Sequence, residues 1–300
     1  MIYKHLLFLL LAVLLLACNS SQKLNQQAND WVDLLDEDLS AWEKFIGVPH
    51  ESVDLAFEHP KSSDGKTGIP LGLNNDPKNV FQVQKDETGE LQLYITGEIF
   101  GALSTKKEYE NYHLRCMFKW GEKKWAPRLN AKRDNGLLYH CTGEHGAFWN
   151  VWMRCLEMQV QEGDMGDFFP LAGTMAESKG HQIADKKGLS TFDPKGETLS
   201  VSFGKGFDIW RVIRSVDNEK PNGAWNLLEI YTIGDRAVHV VNGKVVNALS
   251  NARYKVDGAT VPLRSGKIQI QSEAAAAYYK HIQMRSIQKF PNEIAEAAGF

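Results

Sequence analysis

Cysteine is scarce in this 300-residue chain, and its basic residues gather nowhere. After Cys18 only Cys116, Cys141 and Cys155 remain, an odd number, each inside an apolar strand pattern. They read as small buried hydrophobes rather than a disulfide framework, and no pair has zinc-ligand spacing. The charges nearly balance, 34 Lys and Arg against 37 Asp and Glu, for a net charge of -3. Without a basic stripe to track phosphates, nucleic acid is excluded as a partner. Helical periodicity is also nearly absent: only Asn292 to Ala298 reads as a helix, and there is no internal repeat or second domain.

What remains is 43% hydrophobic and 24% charged, enough for one sizeable core. Met1 to His5 carries Lys4, Leu6 to Leu16 is an apolar run too short to span a bilayer as a mature helix, and Leu15-Leu16-Ala17-Cys18 follows. This resembles a bacterial lipobox. It implies a signal peptide over residues 1–17, lipidation at Cys18, a polar tether over 18–30, and a lipid-anchored location at the cell envelope, periplasmic or on the outer surface. The folded domain is expected over 31–290, with a tail over 291–300.

Within that domain, short runs of period two recur between turn residues. They include Leu91 to Thr96, Tyr112 to Trp120, Gly136 to Cys141, Trp149 to Glu162, Asp208 to Arg214 and Trp225 to Thr232, with a long loop expected over 163–198. Asn242-Gly243, between Val238–Val241 and Lys244–Val246, is a hairpin signal, and Gly234-Asp235 marks a second turn. Many strands without crossover helices predict an all-β sandwich.

Two of these strands carry an unusual polar face. In Arg154 to Gln161, Glu157, Gln159 and Gln161 oppose Leu156, Met158 and Val160. In Lys267 to Glu273, Gln269, Gln271 and Glu273 oppose Ile268 and Ile270. Glutamine and glutamate ladders beside Trp149 and Trp152 suggest a surface that hydrogen-bonds a hydroxyl-rich ligand, a carbohydrate.

The order of WVDLLDEDLSAW at 31–42, KRDNGLLYH at 132–140, LEMQVQEGDMGDFF at 156–169, NGAWNLLEIYTIGDRAVHVVNGKVV at 222–246 and GKIQIQSEAAAAYYKHI at 266–282 resembles the 3-keto-disaccharide hydrolase family. The resemblance implies a concanavalin A-like jelly roll of two antiparallel sheets in a single domain. It also implies a glycoside whose 3-hydroxyl is already oxidised, cleaved by C2 proton abstraction, elimination and hydration. Relatives carry a glycine and a further carboxylate after the second ladder, where this chain has Ala274 to Ala277.

That chemistry needs a base, an acid and a stabiliser for the enolate oxygen. Glu157 is the first candidate acid/base, with an ion pair to Arg154 or Arg133 as its competing reading. Glu273 is the second, and His140 a candidate proton shuttle. Arg133, Asn135, Trp149, Trp152, Arg154, Gln159, Gln161, Gln269 and Gln271 are candidate substrate contacts, and Asp134 is expected to hold the neighbouring loops. Glu162, Asp164 and Asp167 form an acidic cluster that can bind a divalent cation such as calcium, although capping of a Gly-rich turn explains the same composition. Two alternatives stay open: a non-catalytic carbohydrate-binding surface lipoprotein, and a laminarinase-type glycosidase. The glutamines at 159 and 161 stand where the latter's carboxylate run would fall.

Overall fold

In the strand Tyr112–Lys124, Tyr112, Leu114, Cys116, Phe118 and Trp120 are all buried, so alternation alone turns one face inward. The computed structural model describes residues 30–300; Cys18, the signal segment and the tether up to residue 29 lie outside them. The Tyr112–Lys124 strand is central to an antiparallel sheet ordered Phe81–Lys85, Leu91–Ile95, Ala275–Ser286, Tyr112–Lys124, Asn226–Ile233, Arg236–Val241, Lys244–Val256. We call it the outer sheet.

The second sheet, the site sheet, runs Gly72–Leu73, Trp42–Ile46, Gly101–Thr105, Ser265–Ser272, Gly136–Thr142, Arg154–Gln159, Phe168–Leu171, Ile209–Ile213, again antiparallel. The inner faces meet in one core: Leu156, Met158, Val160, Ile268 and Ile270 from the ladder strands belong to the same apolar cluster as Phe118 and Tyr279. This is a jelly-roll sandwich, and the residues from Asp33 to Phe300 form one compact unit. Asn242 and Gly243 both take positive φ, 49° and 78°, as a primed two-residue turn requires. The short helix Asn292–Ala298 forms where expected. The free cysteines Cys116, Cys141 and Cys155 are all buried. Among the described residues, no helix is long and apolar enough to cross a membrane.

Two features depart from expectation. The 163–198 stretch is not a loop but contains the strands Phe168–Leu171, Met175–Gln182 and Gly188–Phe192. Met175–Gln182 reads MAESKGHQ, too polar to show a buried face, and is held by pairing to Glu197–Val201 and Lys244–Val256. The sheets are also not purely antiparallel, because Gly188–Phe192 and Glu197–Val201 run parallel to Ile209–Ile213.

A buried ion cluster ties Phe168–Leu171 to Ile209–Ile213. Asp167, fully buried, accepts from Arg211 Nε at 2.7 Å and from Arg214 Nη1 at 3.2 Å, and also from the Arg214 backbone N–H at 2.9 Å. Removing one partner of a buried pair strands the other charges. Asp167→Ala is therefore expected to lower the unfolding free energy by about 3–5 kcal/mol, read as a fall in the urea midpoint.

Candidate active site

The site is built on three neighbouring strands whose register sets three cross-strand rows. Gln269 pairs with Leu138 and Leu138 with Glu157, forming the first row. One step along, Gly136 pairs with Gln159, with Gln271 on its other side. In the third, Asp134 bridges Glu273, and Gln161 Nε2 donates to Asp134 Oδ2 at 2.5 Å. The two polar ladders thus flank one strand, whose only offering in the middle row is a glycine.

That glycine makes the pocket. A Cβ at Gly136 would overlap Glu157 Oε1 and lie 2.6 Å from Gln271 Oε1, so both side chains fold into the space a larger residue would fill. Around them is a pocket of about 270 Å³ with two unlike walls. One is polar, with Arg128, Asp134, Glu157, Gln159, Gln161, Gln271 and Glu273; the other is aromatic, with Phe148, Trp149, Trp152, Phe169, Phe203 and Trp210. The aromatic wall is continuous: Phe203 stacks on Trp210 at 5.3 Å and on Phe169 at 5.9 Å, and Phe148 stacks on Trp149 at 4.7 Å. Phe203 and Trp149 remain 41% and 43% exposed, so rings stand at the rim where a ligand enters.

The electrostatics divide the three carboxyls. Burial pushes Glu157 well above the ordinary carboxylate value, and repulsion from Asp134 adds to it. Burial likewise raises Glu273, again with repulsion from Asp134, while Arg128 opposes the rise. Asp134 is pushed up to about 6 by burial, against the pull of Arg128. Arg128 touches two of them, Asp134 Oδ2 at 2.5 Å and Glu273 Oε1 at 3.3 Å. Glu157 has no such ion pair among the described residues, and Gln271 beside it is its hydrogen-bond partner. At the rim the Lys66 ammonium lies 3.5 Å from the Trp149 ring centroid, its pKa lowered by burial while Glu273 pulls it back up.

Seven of the residues singled out in the sequence therefore line one pocket: Glu157, Glu273, Gln159, Gln161, Gln271, Trp149 and Trp152. Others lie elsewhere. His140 is wholly buried, edge-on to Tyr112 and Tyr139, with its pKa lowered by burial to about 4. Its backbone takes φ 51°, and this irregularity turns the ring out of the polar row. Gln269 is tied at both ends, donating to Ser104 Oγ and accepting from the Met153 N–H. Asn135 donates to the Gln271 carbonyl at 2.6 Å and accepts from Tyr279 Oη at 2.5 Å, so it positions the ladder from behind. Arg154 donates to the Ala172 carbonyl and lies over Tyr254, while Arg133 pairs with Glu162. Neither arginine pairs with Glu157.

The acidic cluster is spread among cations. Glu162 meets Arg133, Asp164 meets Lys132 and Arg211, and Asp167 meets Arg211 and Arg214. Among the described residues, no group of three or more His, Cys, Asp or Glu is placed to hold a metal ion. Sequence reasoning missed Arg128 and Lys66, which reach the site from loops, and gave Asp134 too small a part. It also passed over Phe203 and Trp210. Ala274 adopts φ 58°, a left-handed backbone suited to the glycine expected from the family resemblance.

Two expectations follow from this geometry. Gly136→Ala displaces Glu157 and Gln271, at a cost of about 1–3 kcal/mol by denaturant titration. The second concerns pH. A carboxyl raised above its unfolded value near 4.5 contributes stability that is present below that value and lost as pH rises through the folded value. The neutral isostere in Glu157→Gln removes this loss. Its melting temperature should match that of the parent near pH 4 and exceed it increasingly toward pH 8, by about 2–4 °C per kcal/mol relieved.

Comparison with known proteins places these observations. Residues 30–285 match the model of the 3-keto-alpha-glucoside-1,2-lyase-like domain. No curated protein matches the chain. Among solved structures it is similar to two candidate glycosyl hydrolases from Parabacteroides distasonis. One is 14% identical with TM-score 0.48, covering 88% of this chain and 97% of the other; the second is 15% identical with TM-score 0.45, covering 86% and 100%. It is also similar to the carbohydrate binding module CBM66 from Bacillus subtilis, at 10% identity, TM-score 0.39, and coverage of 69% and 92%. With the family model spanning nearly all the described residues, the chain belongs to the carbohydrate-active 3-keto-alpha-glucoside-1,2-lyase-like domain family.

Proposed function

We infer that the domain cleaves the glycosidic bond of 3-keto-glycosides, with Glu273 as base and Glu157 as acid. The single observation that carries this reading is the asymmetry of the two buried glutamates: Arg128 contacts Glu273 and leaves Glu157 without an ion pair. Environments that push like groups apart are how one site holds an acid and a base at one pH. Burial raises both glutamates, but Arg128 opposes the rise at Glu273 and makes no ion pair with Glu157, so Glu273 is the more readily ionised and Glu157 the firmer holder of its proton.

The C3 ketone acidifies the C2 proton. Glu273 takes that proton, and the C2–H pair becomes the C2–C3 double bond of an enolate whose oxygen carries the charge. Arg128 is the nearest cation to Glu273, with Lys66 close enough to interact, and they stabilise this oxyanion. Collapse of the enolate breaks the bond from C1 to the leaving oxygen, which takes the Glu157 proton, and leaves a C1–C2 double bond conjugated to the ketone. Addition of water at C1, with return of a proton to C2, gives the free 3-keto sugar. Gln159, Gln161 and Gln271 supply neutral donors and acceptors for hydroxyls. The aromatic wall receives an apolar sugar face or the leaving group. With Cys18 lipidated, this chemistry would take place at the cell envelope.

The test is incubation of the protein with a 3-keto-glucoside and its unoxidised parent, with and without chelator, following aglycone release. Release from the keto form alone, unaffected by chelator, is expected. Glu157→Gln and Glu273→Gln should each reduce kcat about 10²–10⁴-fold. Full activity in either variant contradicts its assignment, and binding without release would make the protein a carbohydrate-binding lipoprotein.

A further inference from the structure

The solvent face of the outer sheet carries an aromatic strip that the proposed chemistry does not use. Gln82 pairs with Tyr94, Tyr94 with Tyr278, and Tyr278 with Lys119, so one cross-strand row spans four strands. Tyr94 and Tyr278 lie 4.9 Å apart between ring centroids. The Lys119 ammonium lies 5.0 Å from the Tyr278 ring and 4.8 Å from that of Trp225, which enters from the preceding loop. All four side chains are only half-buried. Cross-strand packing accounts for Tyr94 against Tyr278, but not for Trp225, which joins them from a loop on a face turned to water.

The strip divides two hollows of about 500 and 380 Å³, both larger than the active-site pocket and both lined by Lys119 and Tyr278. Gln84 and Gln92, cross-strand partners, line the larger. The charges there are not equivalent. Lys280 is held by Asp86 at 3.1 Å and by Glu90 at 2.7 Å, and Lys85 by Glu37 at 3.0 Å. Lys119 has no carboxylate partner among the described residues.

We propose that this face is a second saccharide-binding site, taking a uronic acid-bearing oligosaccharide that lies across Trp225 and Tyr278 with a carboxylate on Lys119. Flat rings stack on the C–H face of a pyranose, amides exchange hydrogen bonds with its hydroxyls, and the unpaired ammonium selects an acidic sugar over a neutral one. This site holds the chain on an acidic glycan independently of turnover on the other sheet, and it stands whether or not the elimination chemistry does.

Isothermal titration of the full-length protein with tetragalacturonate, and with cellotetraose as its neutral counterpart, tests it. Saturable binding of the acidic chain is expected, about tenfold or more weaker in Trp225→Ala and in Tyr278→Ala. Lys119→Met should remove the preference for the acidic chain, while Glu273→Gln, on the other sheet, leaves the binding unchanged. Circular dichroism of each variant verifies the fold, and the half-exposed positions allow Trp225→Phe as a conservative partner that keeps a ring. Absence of binding, binding insensitive to Trp225 and Tyr278, or equal binding of the two tetrasaccharides would each overturn the proposal.

Discussion

The cost of burying carboxyls governs this site. Asp134, Glu157 and Glu273 are each at most 5% exposed, on adjoining strands of a sheet whose polar face is floored by apolar side chains such as Leu138, Cys155 and Trp152. Three ionised carboxylates cannot share that volume. One guanidinium, Arg128, offsets part of the charge, and protonation must offset the rest. Arg128 reaches Asp134 and Glu273 but not Glu157, so Glu157 is the glutamate that holds its proton more firmly, and the proposed roles rest on that difference.

The sandwich exists around the site in a way that keeps this arrangement rigid. Behind the ladder, Asn135 bonds to Tyr279 and to the Gln271 carbonyl, linking the site sheet to the outer sheet through the core. Beside it, Asp167 with Arg211 and Arg214 fixes the two strands that present Phe169 and Trp210. The polar and aromatic walls are therefore held by separate networks. Asn135 and Asp167, each buried with its side-chain polar atoms bonded, hold the strands behind the two walls in one arrangement.

Much of this was legible in the chain. Period-two alternation at 156–161 and 267–273 assigns the ladders to one face because each opposing residue is apolar. Alternation fails where the backbone departs from it: the positive φ at His140 turns its ring inward, and Gln269, on the correct face, has its amide consumed by Ser104 and Met153. The strand Met175–Gln182 has no apolar face to read, since its partners rather than its own pattern hold it. Arg128 and Lys66 are beyond any local pattern, because each reaches the carboxyls from a loop whose path is set by tertiary packing. Asp134 looked like a strand-starting cap and is the third carboxyl of the site.

Infrared difference spectroscopy at neutral pH tests the division of protons most directly. The account predicts a protonated-carboxyl band in the parent protein that weakens more in Glu157→Gln than in Glu273→Gln. A parent without that band, or a band lost only in Glu273→Gln, would contradict it.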